Sequence, residues 1–380
     1  MKPVSECFKI SFFVLIVAGV WYPPSLENSR YVRLVNIYRV LAMITICIGM
    51  LSIQFVYFFT VVGVDLDKTI DATALFTFVG HLFKALTVIK NRKRINELFK
   101  TIDDEEDKDE LMQNMATKLS LVSKIYNGGA GLTAVMWNLI PFTKPTLTLP
   151  FYYPDLPSNS PWFVSWYTYQ SIILIINGVA QTSADHVFGG LMAFAATQLK
   201  LLQHKLETIG RKETELDVTA DQKEQDDYNK AVSCVRFHLK IIRVVDELTS
   251  IFGAAAFGQF VLAAPLLCLS AFILTTSSDR TEIMTRLLYF GCISGQLFFY
   301  CFCGNMIKTE SDRVATAAYN CSWESTSVRT QKTLKLLILR GQKTMSVVAG
   351  NLFELSMVTF GALLKSSYSF FAVLNKKHDD

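Results

Sequence analysis

Apolar residues in this chain gather into seven blocks, and the charged residues collect between them. The blocks cover residues 35–60, 72–88, 119–142, 162–194, 251–275, 283–306 and 345–373. Each is long and apolar enough to be a membrane span, for which about 17–25 residues suffice. Inside hydrocarbon the backbone must satisfy its own hydrogen bonds, so helices are expected. Strand-length alternation of the β-barrel kind is absent. Helical spacing also marks the connections. Val232, Val235, Leu239 and Ile242 share one face of a helix leading into the fifth block. Residues 96–123 are amphipathic around Asp103, Asp104, Glu105, Glu106 and Asp107, which read as a solvated helix junction. Residues 213–228 are polar and read as a flexible loop.

Basic residues give these spans a direction. The second block ends at Lys90, Arg92, Lys93 and Arg94. The fourth-to-fifth connection carries nine lysines and arginines from Lys200 to Arg243, and the sixth-to-seventh carries seven from Lys308 to Lys343. The alternate connections hold little beyond Lys68, Lys144, Arg280 and Arg286. Basic loops stay in the cytoplasm. The expected fold is therefore an all-α polytopic membrane protein with seven transmembrane helices in an inverted topology, the N-terminus inside. Long cytoplasmic connections are expected to pack as a helical bundle. The divisions are an interfacial segment 1–34, helices one to six over 35–306, a cytoplasmic connection 307–344, a seventh helix over 345–374 and an extracellular tail 375–380.

Composition agrees, with 51% apolar and 18% charged residues, against about 25% charged in soluble domains. None of the eight cysteines falls in an expected outer segment, so no disulfide framework is expected. Residues 10–20 resemble a short signal core, but Trp21, Tyr22, Pro23 and Pro24 replace a cleavage site, and an interfacial or re-entrant segment fits better. The outer loop 141–161 holds six prolines with Phe151, Tyr152 and Tyr153. It suits either a membrane-interface loop or a cover over a cavity.

No catalytic, metal-binding or nucleotide-binding motif is present, and the histidines do not cluster. No enzyme activity, metal, cofactor or nucleic-acid partner is expected. Gly128, Gly129 and Gly131 point to close helix packing. Polar residues inside spans are costly and mark candidate sites. Gln170, Asn177, Gln181 and Asp185 fall on one face of the fourth span, against other helices or a wet cavity. His81 in the second span reads as a packing histidine. In the seventh span Asn351, Glu354, Val358, Ala362, Lys365 and Ser369 recur at steps of three and four. That face either packs on neighbouring helices or lines a water-filled pore, with Glu354 drawing cations to its mouth.

The run from Ala318 to Leu374 carries a likeness to a known family. It reads A-Y-N-C-S-W with Tyr319 and Trp323, then L-K-L-L-I-L-R-G-Q-K with Arg340, Gln342 and Lys343, and closes S-Y-S-F-F-A-V-L with Tyr368. In these motifs the chain resembles the insect odorant receptors. Thr344 stands where many members have proline. The ending lacks the glutamine typical of gustatory relatives, and the fourth-to-fifth loop is shorter than the co-receptor's. An odour-tuning subunit is implied.

The resemblance implies a ligand-gated, non-selective cation channel, a heterotetramer with co-receptor subunits in the plasma membrane of olfactory neuron dendrites. It implies that a small volatile odorant sits in the outer half of the membrane. By position the site would use Phe76 and Val79, Thr133 and Trp137, Tyr169 and Ile173, and Tyr289 and Cys292. The pore would use Glu354, with a gate near Phe371, Val373 and Asn375. A transporter or a G-protein-type receptor is the competing class; the first should show inverted repeats and the second the opposite loop parity. The topology has a direct check. The sequon Asn320-Cys321-Ser322 is expected on the cytoplasmic side and should stay unmodified, whereas a glycan found there by mass spectrometry would invert the orientation.

Overall fold

The structure, a computed structural model, describes residues 4–27, 30–61, 74–103, 110–143, 147, 149, 160–211, 220–276 and 279–379. Among these, eleven α-helices follow one another. They are α1 (Lys9–Val17), α2 (Val32–Met43), α3 (Met50–Val61), α4 (Ala74–Lys90), α5 (Arg92–Asp103) and α6 (Glu110–Thr143). After them come α7 (Pro161–Glu207), α8 (Ala220–Thr276), α9 (Arg280–Tyr319), α10 (Val328–Gly341) and α11 (Met357–Asp379). A two-stranded hairpin, β1 (Val348–Ala349) and β2 (Phe353–Glu354), precedes α11. The acidic run around Asp104 and most of the outer loop lie outside the described residues.

Local chemistry sets the helix starts. Ser160 accepts a hydrogen bond from the Trp162 N–H with Pro161 in the first turn of α7. Asp279 does the same for Thr281 at the start of α9, at 2.9 Å, and Ser356 for Thr359 at the start of α11, at 3.2 Å. α7 has 47 residues and α8 has 57. At about 1.5 Å per residue each exceeds a hydrocarbon core of about 30 Å. These helices therefore continue well past any spanning length, and α8 packs with α10.

Among the described residues, five stretches are long and apolar enough to cross a membrane: Val32–Thr60, Pro161–Glu207, Asp221–Thr276, Ile283–Tyr319 and Met357–Asn375. The second and third expected spans form α4 and α6, which pack on α7, α8 and α9 in the same bundle. The core runs along α7, where every residue from Ala180 to Leu199 is buried. α1 lies against it. Phe8 fills the space over Gly190, where an added Cβ would come within 2.5 Å of its ring. Ser11 bonds His186 Nδ1 at 3.0 Å, and the other nitrogen of that ring meets the Leu119 carbonyl at 2.9 Å.

Four expectations need correction. The seventh block is not one helix from 345. The chain reverses at Gly350 and Asn351, both left-handed with φ of 58° and 59°, and α11 starts only after Ser356. Asn351 and Glu354 therefore do not share a helical face with Val358 and Ala362; turn chemistry and the Ser356 cap outweigh the apolar run. Residues 220–228, expected as loop, open α8 instead. In that helix the buried line is Ala231, Cys234, His238, Ile241 and Val245, one position from the predicted face, and Leu239 is exposed. Gly128, Gly129 and Gly131 meet nothing within 4 Å of an added Cβ, so close packing does not explain them.

The hairpin is held by backbone contact more than by charge. Gly350 N–H donates to the Gly253 carbonyl at 2.9 Å, and Leu355 is buried over Gly304. Lys308 pairs with Glu354 at 2.8 Å and, by that hydrogen bond, holds its carboxyl below the usual range. Both groups are largely open to solvent, so the pair stabilises by no more than about 1 kcal/mol. At Gly304 an added Cβ would lie 2.3 Å from the Leu355 carbonyl oxygen. Gly304→Ala should cost about 1–3 kcal/mol, seen as a lower unfolding temperature of the purified protein, and Glu354→Gln should cost less.

Candidate ligand-binding site

Helices α4, α6, α7 and α9 diverge around a cavity of about 120 Å³. Engineered apolar cavities of about 150 Å³ hold benzene, so this one is on the scale of a small volatile molecule. Its lining follows helical spacing. Tyr126, Ala130, Thr133, Ala134 and Trp137 come from one face of α6, and Arg286, Tyr289, Cys292, Ile293 and Gln296 from one face of α9. α4 contributes Ala74, Thr77 and Phe78, and α7 contributes Leu174, Asn177, Gly178, Gln181 and Thr182.

Polar atoms in this wall are mostly paired with each other. The Thr77 and Tyr289 hydroxyls bond directly. The Thr133 hydroxyl donates to the Gly129 carbonyl at 2.9 Å and lies 3.3 Å from Cys292 Sγ. Trp137 meets the Tyr289 ring edge-on at 6.1 Å and the Arg286 guanidinium at 4.9 Å. Gln170 holds the backbone of Leu149 with two hydrogen bonds, at 3.1 and 3.0 Å. That makes Leu149 part of the cavity wall.

A charged network lies next to the cavity. Asp185 is fully buried and Lys84 is 4% exposed, and their side chains meet at 2.7 Å. The carboxylate also accepts from the Gln296 amide and the Tyr300 hydroxyl. Gln259 donates to Gln296 at 2.7 Å. One carboxylate thus ties α4, α7, α8 and α9 together, and Gln296 belongs to both the network and the cavity wall.

Of the eight residues assigned to a ligand site from the sequence, Thr133, Trp137, Tyr289 and Cys292 line this cavity. The other four do not. Phe76 points to Phe58, with ring centres 5.7 Å apart, and its neighbours Thr77 and Phe78 face the cavity instead. Val79 is half-buried outside the lining. Tyr169 donates to the Thr45 carbonyl at 2.8 Å, and Ile173 packs with Ile46, Met50 and Phe78. The contribution of α7 therefore starts at Leu174 and runs deeper. Lys84 and Arg286 were missed. Lys84 is a lysine inside an apolar block, six residues before the basic cluster that begins at Lys90, and Arg286, counted with the loop charges, lies in α9 and is 5% exposed.

The Glu354, Phe371, Val373 and Asn375 set is not brought together. Glu354 sits on β2, before α11 begins. Phe371 packs with Leu374 on Phe272 and Ile273 of α8, whereas Val373 is 69% exposed. Asn375 lies near the far end of α11 and is partly buried. Cys7, Cys234, Cys268, Cys292, Cys301, Cys303 and Cys321 are free, and no cluster of three or more potential metal ligands occurs among the described residues.

A helical bundle with a small, largely apolar chamber inside it has room for a small lipophilic molecule. A sequence profile described as 7tm odorant receptor matches residues 65–368. The chain belongs to the 7tm odorant receptor family, a family of receptors and not of enzymes. It is 24% identical to odorant receptor 46a, isoform A, of Drosophila melanogaster across 99% of both chains. It is 22% identical to odorant receptor 10 of Aedes albopictus over 80% of this chain and 82% of that one. The structure of the insect olfactory receptor OR5 from Machilis hrabei in complex with eugenol superposes with a TM-score of 0.83 at 18% identity, covering 98% of each chain. At that identity the likeness is one of fold.

The network makes a stability prediction. Removing one partner of a buried ion pair strands the other charge and costs about 3–5 kcal/mol. Lys84→Met and Asp185→Asn should each lower the unfolding temperature of the detergent-purified protein strongly. The double variant Lys84→Met/Asp185→Asn should lose clearly less than the two single losses added. Additive losses would mean that the pair is not coupled.

Proposed function

We propose that the chain is an odour-tuning subunit of an odorant-gated, non-selective cation channel, a heterotetramer with co-receptor subunits in the plasma membrane of olfactory neuron dendrites. The N-terminus is inside and the tail outside. The odorant occupies the cavity between α4, α6, α7 and α9, and α11 lines the conduction path. A ligand opens such a channel only through a higher affinity for the open state. Contraction of the cavity around the odorant shifts α9, and α11, which packs on α8 and α9, moves with it.

The observation that carries this reading is the open face of α11. Val358 is 82% exposed and Val373 69%, and Gly361, Ala362, Lys365 and Ser369 between them are exposed as well. A stripe of small and polar groups with a lysine in its middle is poorly suited to lipid and well suited to water at the axis of an oligomer. Val373 is the apolar gate candidate at the outer end, with Phe371 bracing the helix from behind and Asn375 two residues further on. Glu354 lies at the inner mouth, its charge compensated by Lys308.

Cells expressing the chain with a co-receptor should give odorant-evoked cation currents, and cells lacking either subunit should not. Lys365→Gln should raise cation conductance by removing a repelling charge, and Val373→Ser should raise basal current by wetting the gate. If both variants reach the surface with unaltered conductance, selectivity and basal current, α11 is packing and the chain is a ligand-sensing subunit only.

A further inference from the structure

The polar face of α7 carries four residues, and only the outer two find partners within the protein. Gln170 holds the backbone of Leu149, and Asp185 meets Lys84, Gln296 and Tyr300. Asn177 and Gln181 lie between them, 4% and 8% exposed, and both line the cavity. Among the described residues neither carboxamide makes a hydrogen bond, and Asn177 Oδ1 is a buried acceptor without a partner. The two stand one helical turn apart, with Cβ atoms about 5–6 Å from each other. Gly178 beside them also lines the cavity, and a Cβ added there would meet nothing within 4 Å, so there is room for a ligand group.

Other polar groups of the wall are engaged. The Thr77 and Tyr289 hydroxyls bond each other. Thr133 donates to the Gly129 carbonyl, Thr182 to Asn127 Oδ1, and Gln296 bonds both Asp185 and Gln259. Arg286 rests on the Trp137 ring and takes part in a further interaction. The Tyr126 hydroxyl makes no hydrogen bond of full geometry, but it stands beside the Asp185 carboxylate.

Buried amides are nearly always hydrogen-bonded, and one without a partner carries a desolvation penalty. A carboxamide offers an acceptor oxygen and two N–H donors. A ligand hydroxyl satisfies both kinds at once: it donates to one amide oxygen and accepts from the other amide's N–H. A carbonyl or ether oxygen only accepts, and leaves the Asn177 oxygen bare. Resting on the reading of this cavity as the odorant site, we propose that Asn177 and Gln181 select ligands bearing a hydroxyl, an alcohol or phenol on a small hydrocarbon body. The hydroxyl sits between the two amides, and the hydrocarbon lies along Ala130, Ala134 and Ile293 of the wall. A site that hydrogen-bonds a hydroxyl rejects the analogue lacking it, because its own polar groups are then left unpaired.

The test is binding to the purified full-length chain, read as ligand-dependent protection against thermal unfolding, with benzyl alcohol, benzaldehyde and ethylbenzene as probes of similar size. The wild-type protein should bind benzyl alcohol about ten-fold or more tighter than ethylbenzene, and several-fold tighter than benzaldehyde. Asn177→Leu and Gln181→Met should each bring the alcohol-to-ethylbenzene ratio down towards one. Without ligand, neither variant should lower the unfolding temperature, because the amide it removes bonds nothing in the protein. If Asn177→Leu fails to fold, the ratio in Gln181→Met decides. A ratio unchanged in the variants, or a loss of unfolding temperature with the ratio kept, overturns the proposal, since the amides then only brace the bundle. Ethylbenzene bound as tightly as benzyl alcohol by the wild-type chain also overturns it, and leaves the cavity standing as a ligand site. Failure of all three probes to bind the wild-type chain would overturn the cavity reading along with this proposal. Binding without evoked current would count against the channel reading alone.

Discussion

A carboxylate with no exposed surface governs how this bundle can close. Asp185 stands where neither water nor lipid can solvate it, and an uncompensated charge there would cost several kcal/mol. Lys84 must reach it from α4, and Gln296 and Tyr300 from α9. Gln259 on α8 completes the set through Gln296. Four helices are thereby brought to a fixed distance at one level of the bundle. Where the same helices separate beside that level, a cavity opens. Network and chamber follow from the same geometry, and Gln296 takes part in both.

The remainder of the chain divides between rigidity and freedom. α7 is buried along its middle and continues far past a spanning length, and α1 is keyed into it through Phe8 over Gly190. α11 is tied differently. It hangs from a hairpin that grips α8 at Gly253 and α9 at Gly304 by backbone approach, and much of its own surface is open. An element with one packed side and one open side is the one best placed to shift when the packed side changes.

Much of this was legible in the residues. The apolar blocks marked the helices, and the polar face at Gln170, Asn177, Gln181 and Asp185 marked buried contacts on α7; all four are buried. Helical phase was harder to read. The α8 face is displaced by one position, and Phe76, Tyr169 and Ile173 turn to other neighbours, because an apolar residue gives no sign of which neighbour covers it. The hairpin was hidden by composition. Residues 345–356 are apolar enough to continue a helix, yet Gly350, Asn351 and Ser356 carry the chemistry of a turn followed by a cap. Lys84 escaped notice because one lysine hardly alters the hydropathy of its block, and only the partner from α7 explains it.

Entry of a small ligand into the chamber bounded by α4, α6, α7 and α9 can be followed through two cysteines. Cys292 lies in its wall, and Cys268 on α8 is buried elsewhere. The direct measurement is the rate at which a small apolar alkylating reagent modifies each of these two cysteines, followed by mass spectrometry, with and without an odorant that activates the receptor. Occupancy of the chamber predicts that a saturating odorant slows modification of Cys292 and leaves Cys268 unchanged. An unchanged rate at Cys292 under an odorant that fully activates the receptor would contradict the account.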